Sequence, residues 1–365
     1  MYQERGFTRL RRGLLVGAIA LAGLWAGSAN AQFQIKSADG NASIKFGLLL
    51  QGWGDWLQDP VSEGYAQNLF LRRARFIFGG QINPEVTFFM ETDNPNLGKV
   101  PKSLGTGFIV QDAFMEWKPA NEFALDAGLI LIPMCRNCLQ SAATLLTMDY
   151  GSFSFLNSAP TQSSVGRDTG FQAKGYLFGQ RLEYRLGTFQ GFRQTGARNA
   201  FRTAGRLQYE FLDVEVGPFY TGTYLGKKKV LAVGVGFDRQ QDYTATSGDI
   251  FFDHPVGNGN GITAQVDYIN YDGGTTFTTL PKQNDAFTEV GFYIKSLKLQ
   301  PFLRYEKQSF SATANQSKDL TKYQGGLTYY PYGYNFNIKA GYTKIEPRVG
   351  MKTNEFTIQF QLFYF

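Results

Sequence analysis

Residues 354–365 read NEFTIQFQLFYF, and their alternation decides the fold. Successive side chains of a strand point to opposite faces, so Phe356, Ile358, Phe360, Leu362 and Tyr364 share one face and Thr357, Gln359 and Gln361 the other. A strand this long, apolar on one side and polar on the other, suits a barrel wall with lipid outside and water inside, where about ten residues make one crossing. Ending on Phe365, it would close such a barrel against the first strand. One detail departs from the pattern: Phe365 shares its parity with Gln359 and Gln361. A bulge near Leu362 would return it to the apolar face.

Working outward, short alternating segments recur between turn residues, in a chain with 42 glycines, 33 phenylalanines and 20 tyrosines. They predict sixteen strands, at 43–57, 67–82, 85–93, 108–118, 123–132, 168–178, 181–191, 201–211, 229–238, 248–255, 261–272, 286–294, 297–307, 321–330, 335–345 and 354–365. Short and long connections alternate, as periplasmic turns and external loops do in outer-membrane barrels. Residues 214–228 read as a periplasmic connection; counting 215–225 as a strand gives an odd total, so eighteen strands is the alternative. The longest interruption, 133–167, is expected to fold inward as a constriction loop, the alternative being an external surface loop. The fold class is all-β: a transmembrane antiparallel β-barrel forming a single domain over 32–365. No linker divides it, and no segment after residue 31 is apolar enough for a transmembrane helix.

Ahead of the barrel, Arg5, Arg9, Arg11 and Arg12 precede an apolar run at 13–25 and the triplet Ala29-Asn30-Ala31. Together they predict a cleaved signal peptide over 1–31, since the run is short for a membrane span. Export and barrel together imply the outer membrane of a Gram-negative bacterium, with outer-membrane lipid around the wall. Setting aside the leader's four arginines and Glu4 from 36 basic and 30 acidic residues leaves 32 and 29. Such a balance argues against nucleic acid as a partner.

If Phe76 and Phe78 face lipid, Arg73 and Arg75 face the lumen and Arg72 lies near the outer rim. The same alternation turns Lys174, Arg181, Arg185, Arg202, Arg206, Lys298, Arg304 and Lys339 inward. A guanidinium presents a fork of donors that replaces water around phosphate or carboxylate, and rows of moderate sites pass an anion without trapping it. Alternation also sends Glu91, Asp93, Asp112, Glu116, Asp126, Glu183, Glu210, Asp267 and Glu306 inward. Each cation therefore has two readings, as a pore-lining anion site or as one partner in a salt-bridged wall. Positive density is highest around Arg73, Arg75, Arg202 and Arg206. Trp56, Trp117, Tyr329, Tyr330, Tyr332 and Tyr334 fall near strand ends, where amphipathic rings form interface girdles; a subunit contact would suit some of them equally.

Cys135 and Cys138, in MCRNCLQ at the start of the long loop, are expected to form a disulfide in an oxidising compartment. A redox role would need a βαβ context. Haem attachment would need histidine where Leu139 stands, and a metal site more ligands than two cysteines and the single, distant His254. Neither cofactor nor metal is expected. His254 follows Asp253, but no G-x-S-x-G motif accompanies the pair. A structural histidine near a turn is the reading, and no enzyme is expected.

Taken in order, RRARFIFGGQINPEVTFFMETD (72–93), GRDTGFQAKGYLFGQRLEYRLGTFQG (166–191), GRLQYEF (205–211), GKKKVLAVGVGFD (226–238) and QFQLFYF (359–365) resemble the phosphate-selective porins of the O and P type. The resemblance runs over most of the chain after the leader. It implies a homotrimer of sixteen-stranded barrels, each with an arginine- and lysine-lined pore for phosphate or other anions. The family's early arginine pair falls on Arg72 and Arg73, and its later lumen arginines on Arg202 and Arg206. No lysine cluster marks the expected external mouth; Lys227, Lys228 and Lys229 lie on the expected periplasmic side. The functional expectation is an outer-membrane porin through which small anions, phosphate or other oxyanions, diffuse passively. A general diffusion porin, or a barrel holding a periplasmic or surface partner, is the alternative.

Overall fold

A computed structural model describes residues 33–102, 104–162, 165–193 and 200–365; the expected leader, 1–31, lies outside the described residues. Its strands are β1 (Phe33–Lys36), β2 (Ser43–Gln58), β3 (Tyr65–Asn83), β4 (Val86–Asp93), β5 (Ile109–Ala120), β6 (Phe123–Leu131), β7 (Arg167–Leu177), β8 (Leu182–Phe189) and β9 (Arg202–Glu210). They continue as β10 (Val230–Gln240), β11 (Tyr243–Val256), β12 (Asn260–Asp272), β13 (Gln283–Tyr293), β14 (Leu299–Phe310), β15 (Leu320–Tyr329), β16 (Phe336–Pro347) and β17 (Thr353–Tyr364).

From β2 onward each strand pairs antiparallel with the next, and β17 pairs with β2, so the sheet closes on itself. β1 joins β2 at Phe33↔Phe46, just past the point where β17 leaves it at Tyr364↔Leu48. β1 and β17 thus lie end to end on one edge of β2 and share a wall position. The barrel therefore has sixteen positions, and 211–229 adds none. Closure removes the unpaired edges that an open sheet would expose.

β11 begins at Tyr243 rather than near 248 because Gln241 and Asp242 make a tight turn, with Gln240 paired to Tyr243. That turn is anchored where Asp242 accepts backbone hydrogen bonds from Thr275 (2.6 Å) and Thr276 (3.0 Å). Outside, the wall exposes Phe76, Phe171, Leu186, Val235, Leu303 and Phe360, while the opposite parity is polar and buried, as at Gln265, Gln300, Gln359 and Gln361.

The last strand needs no bulge: its register with β2 runs unbroken from Glu355↔Leu57 to Tyr364↔Leu48. Phe365 turns inward instead and packs edge-on against Phe89, at 5.9 Å between ring centres. Phe363 and Phe365 belong to an apolar patch inside the barrel with Leu49, Ile77, Ala142 and Ala143. A register shift occurs elsewhere. Gln51 faces Arg73 and Gly52 faces Leu71, leaving Arg72 as an extra residue in β3.

Candidate channel lumen

The connection between β6 and β7 carries two single-turn helices, α1 (Arg136–Leu139) and α2 (Ser158–Thr161), and crosses the lumen. Its route is fixed by backbone groups that would be orphaned inside the barrel unless the wall met them. On one side, the wall carboxylates Asp249 and Asp267 accept from the amides of Arg136 and Asn137, both at 3.1 Å. On the far side, Gln51 donates to Ala142 O (3.1 Å), Gln361 to Ala143 O (2.9 Å), and Lys339 to Leu145 O and Thr147 O (2.5 and 2.7 Å). Arg304 donates to Asp149 O and Tyr150 O, both at 2.6 Å. The polar parity of the strands is what holds the loop. Cys135 and Cys138 sit at the start of α1 in disulfide geometry, 5.0 Å apart at Cα.

A second segment, 211–229, which contains the expected periplasmic connection 214–228, enters from the opposite end of the barrel. Tyr220 exchanges backbone hydrogen bonds with the loop, donating to Leu139 O and accepting from Ser141, both at 2.9 Å. Arg136 reaches Glu215 with two hydrogen bonds of 2.7 and 2.9 Å, and both side chains are buried. Around the Tyr220 ring stand the guanidiniums of Arg136, Arg185 and Arg206, at 4.8, 5.2 and 5.4 Å. The two segments meet in the interior as a braced crossbar.

Most of the expected lumen cations are inward and paired. Arg75 meets Glu91 and Asp93 (2.7 and 2.9 Å), Lys174 meets Glu116 and Asp126 (2.5 and 3.0 Å), and Arg185 meets Glu183 (2.6 Å). Arg202 meets Asp238 (2.5 Å), Arg206 meets Asp249 (2.6 Å), and Arg304 pairs with Glu306. Such pairs fix geometry more than they add stability, because desolvating both charges offsets much of their attraction. One site has a different ratio. Arg72 and Arg73 both close on Asp149 of the loop, at 2.7 and 2.6 Å. Burial alone would raise the Asp149 pKa, but the two guanidiniums outweigh it and hold the carboxyl well below its usual range.

Three placements differ from the sequence reading. Arg72 reaches the lumen rather than the outer rim, because the bulge at that residue breaks strict alternation. Lys298 is exposed in the β13–β14 turn, donating to Pro331 O at 3.0 Å, and Arg181 caps the carbonyls of Glu210, Phe211 and Leu212 at a strand end. Neither lines the lumen. Among the expected girdle rings, Tyr330 and Tyr334 turn inward, hydrogen-bonding Gln300 and the Thr223 carbonyl, while Trp117, Tyr329 and Tyr332 remain exposed. His254 stacks on Phe252, whereas Asp253 points inward to Thr263 at 2.6 Å, so adjacent parity separates the two. The sequence reading did not single out Arg136, Asp149, Arg167, Glu215, Lys322 or Glu355. Alternation alone would have turned Lys322 and Glu355 inward.

Beside the loop a cavity of about 100 Å³ remains against β14–β17, near the end of the barrel where the long loop enters. Trp53, Asp149, Arg304, Glu306, Lys322 and Glu355 are among its lining residues.

No known family profile matches the chain, and no curated relative does. Solved structures do resemble it. OmpF of Salmonella typhi, solved in complex with daunomycin, superposes with a TM-score of 0.62 at 16% identity, covering 90% of this chain and 100% of that one. The anion-selective porin of Comamonas acidovorans gives 0.62 at 11% identity, covering 88% and 100%. The outer-membrane channel DcaP of Acinetobacter baumannii gives 0.59 at 12% identity, covering 90% and 99%. At such identities the likeness shows a shared fold, the sixteen-stranded porin barrel.

Proposed function

We propose that this chain is a passive channel of the Gram-negative outer membrane, passing small polar solutes with a preference for anions. Its apolar outer wall suits lipid, and its polar inner wall suits water and ions. The preference rests on one observation: two guanidiniums, Arg72 and Arg73, share the single carboxylate of Asp149 where the loop borders the remaining cavity. That leaves one positive charge in excess in this group of three side chains beside the cavity. Phosphate and other oxyanions are the solutes that such forked donors accept best. Diffusion down a gradient needs no cofactor and no covalent step, and the expected homotrimer is part of the same proposal.

Pairing of the remaining cations favours a second reading, a general diffusion porin with little selectivity. Ion currents separate the two. Phosphate added to a chloride-conducting pore should reduce the current, and Arg73→Ala should weaken that block. A chloride current indifferent to phosphate supports the general porin.

A further inference from the structure

We propose that the cavity beside the long loop binds zwitterionic solutes of about dipeptide size, with the carboxylate at Lys322 and the ammonium at Glu355. This deepens the channel reading and rests on it, since the cavity lies on the solute path only if there is one. A single register row carries the argument. Arg304 faces Gln324, Gln324 faces Thr343, and Thr343 faces Glu355 across β14, β15, β16 and β17, and all four line the cavity. At roughly 4.8 Å per strand the ends of this row lie about 14 Å apart at the backbone, and long side chains shorten that span.

The charges at its ends are opposite and unequally satisfied. At the β14–β15 end, Arg304 stands beside two carboxylates, its register partner Glu289 and Glu306, and spends its terminal nitrogens on Glu306, the Thr147 hydroxyl and two loop carbonyls, which leaves Lys322, facing Glu306 in register, as the cation available to a solute. Lys322 donates to the neutral Ser152 hydroxyl at 2.9 Å and forms no ion pair among the described residues. At the β17 end, no side chain among the described residues forms an ion pair with Glu355. Its acidic neighbour Asp55 is already engaged by Lys99 (2.5 Å) and Asn68 (2.7 Å). Midway, Gln324 donates to Thr343 at 2.8 Å while its carbonyl oxygen is buried without a partner, an acceptor suited to a peptide N–H. The order along the row is cation, amide acceptor, hydroxyl, anion. A solute carrying only a carboxylate leaves Glu355 unmatched and meets its repulsion; one carrying only an ammonium meets the same problem at Lys322.

The test is calorimetric binding of glycylglycine to the full-length protein folded in detergent, with N-acetylglycylglycine as the analogue lacking the ammonium. Glycylglycine should bind, the acetylated analogue about tenfold more weakly, and Glu355→Gln should weaken the first by about tenfold while strengthening the second, which no longer meets the carboxylate's repulsion. Lys322→Gln should weaken both. Equal binding of the two peptides, binding indifferent to Glu355→Gln, or no binding overturns the site. Heat-modifiable gel mobility shows whether each variant still forms the barrel. Bilayer current, measured separately, tests the channel: current without glycylglycine binding removes the site alone, and binding without current removes the channel alone.

Discussion

Asp149 balances two guanidiniums, so its removal acts on charge before it acts on packing. Asp149→Asn leaves Arg72 and Arg73 without a counter-charge beside the cavity. The anion-to-cation permeability ratio should rise by roughly fivefold, corresponding to about 1 kcal/mol, as read from the reversal potential; an unchanged ratio would place the pair off the ion path. Acid gives a second prediction. A carboxyl with a depressed pKa stabilises the fold above its unfolded value, and that contribution fades as pH falls through the folded one. Asp149 is held below the usual carboxylate range by Arg72 and Arg73, against burial. The difference in unfolding midpoint between wild type and Asp149→Asn should therefore persist near pH ~4, where ordinary carboxylates titrate. Its loss there would show that the arginines do not hold the charge. At this scale alternation revealed that Arg73 and Arg75 face inward. It misplaced Arg72 because counting by twos assumes an unbroken ladder, and it misplaced Lys298 because that residue sits in a turn at φ 53°.

The long loop and the 211–229 segment form one unit through the Tyr220 backbone pair and the Arg136–Glu215 clasp. Glu215→Gln takes from a fully buried guanidinium its hydrogen-bonded carboxylate and leaves Glu210 as the acid acting on it, at a cost of about 3 kcal/mol. Backbone amides of Ser141 and Tyr220 should then exchange faster with solvent, and single-channel conductance should rise as the crossbar loosens. Replacing both partners by methionine should restore much of the protection, since a matched apolar pair avoids the buried charge. Protection unaltered by Glu215→Gln would show that the clasp does not brace the two segments. The loop was legible as the longest interruption of an otherwise regular strand count, but length alone left an inward and an external course both open. The course of 211–229 was not legible either. Its residues read as extended chain, and extension alone does not say whether the partner is the barrel wall or another segment inside it. The final phenylalanine has the same lesson: its parity was readable, but not the lumen patch with Leu49, Ile77 and Phe89 that receives it.

Over the whole molecule, the closed barrel sets an apolar belt against a charged interior, and the interior is largely self-neutralised. Strand count and closure followed from period-two alternation, which every wall position must obey. Selectivity did not, because it depends on which acid each arginine meets, and those partners are brought together by register and by the loop rather than by spacing along the chain. The most direct test is the reversal potential of single channels in a planar bilayer under a KCl gradient. A discrete ionic current with the potential displaced toward the chloride equilibrium value is the predicted result. A potential displaced toward the potassium value, or folded protein that inserts without carrying any current, would contradict an anion-preferring channel.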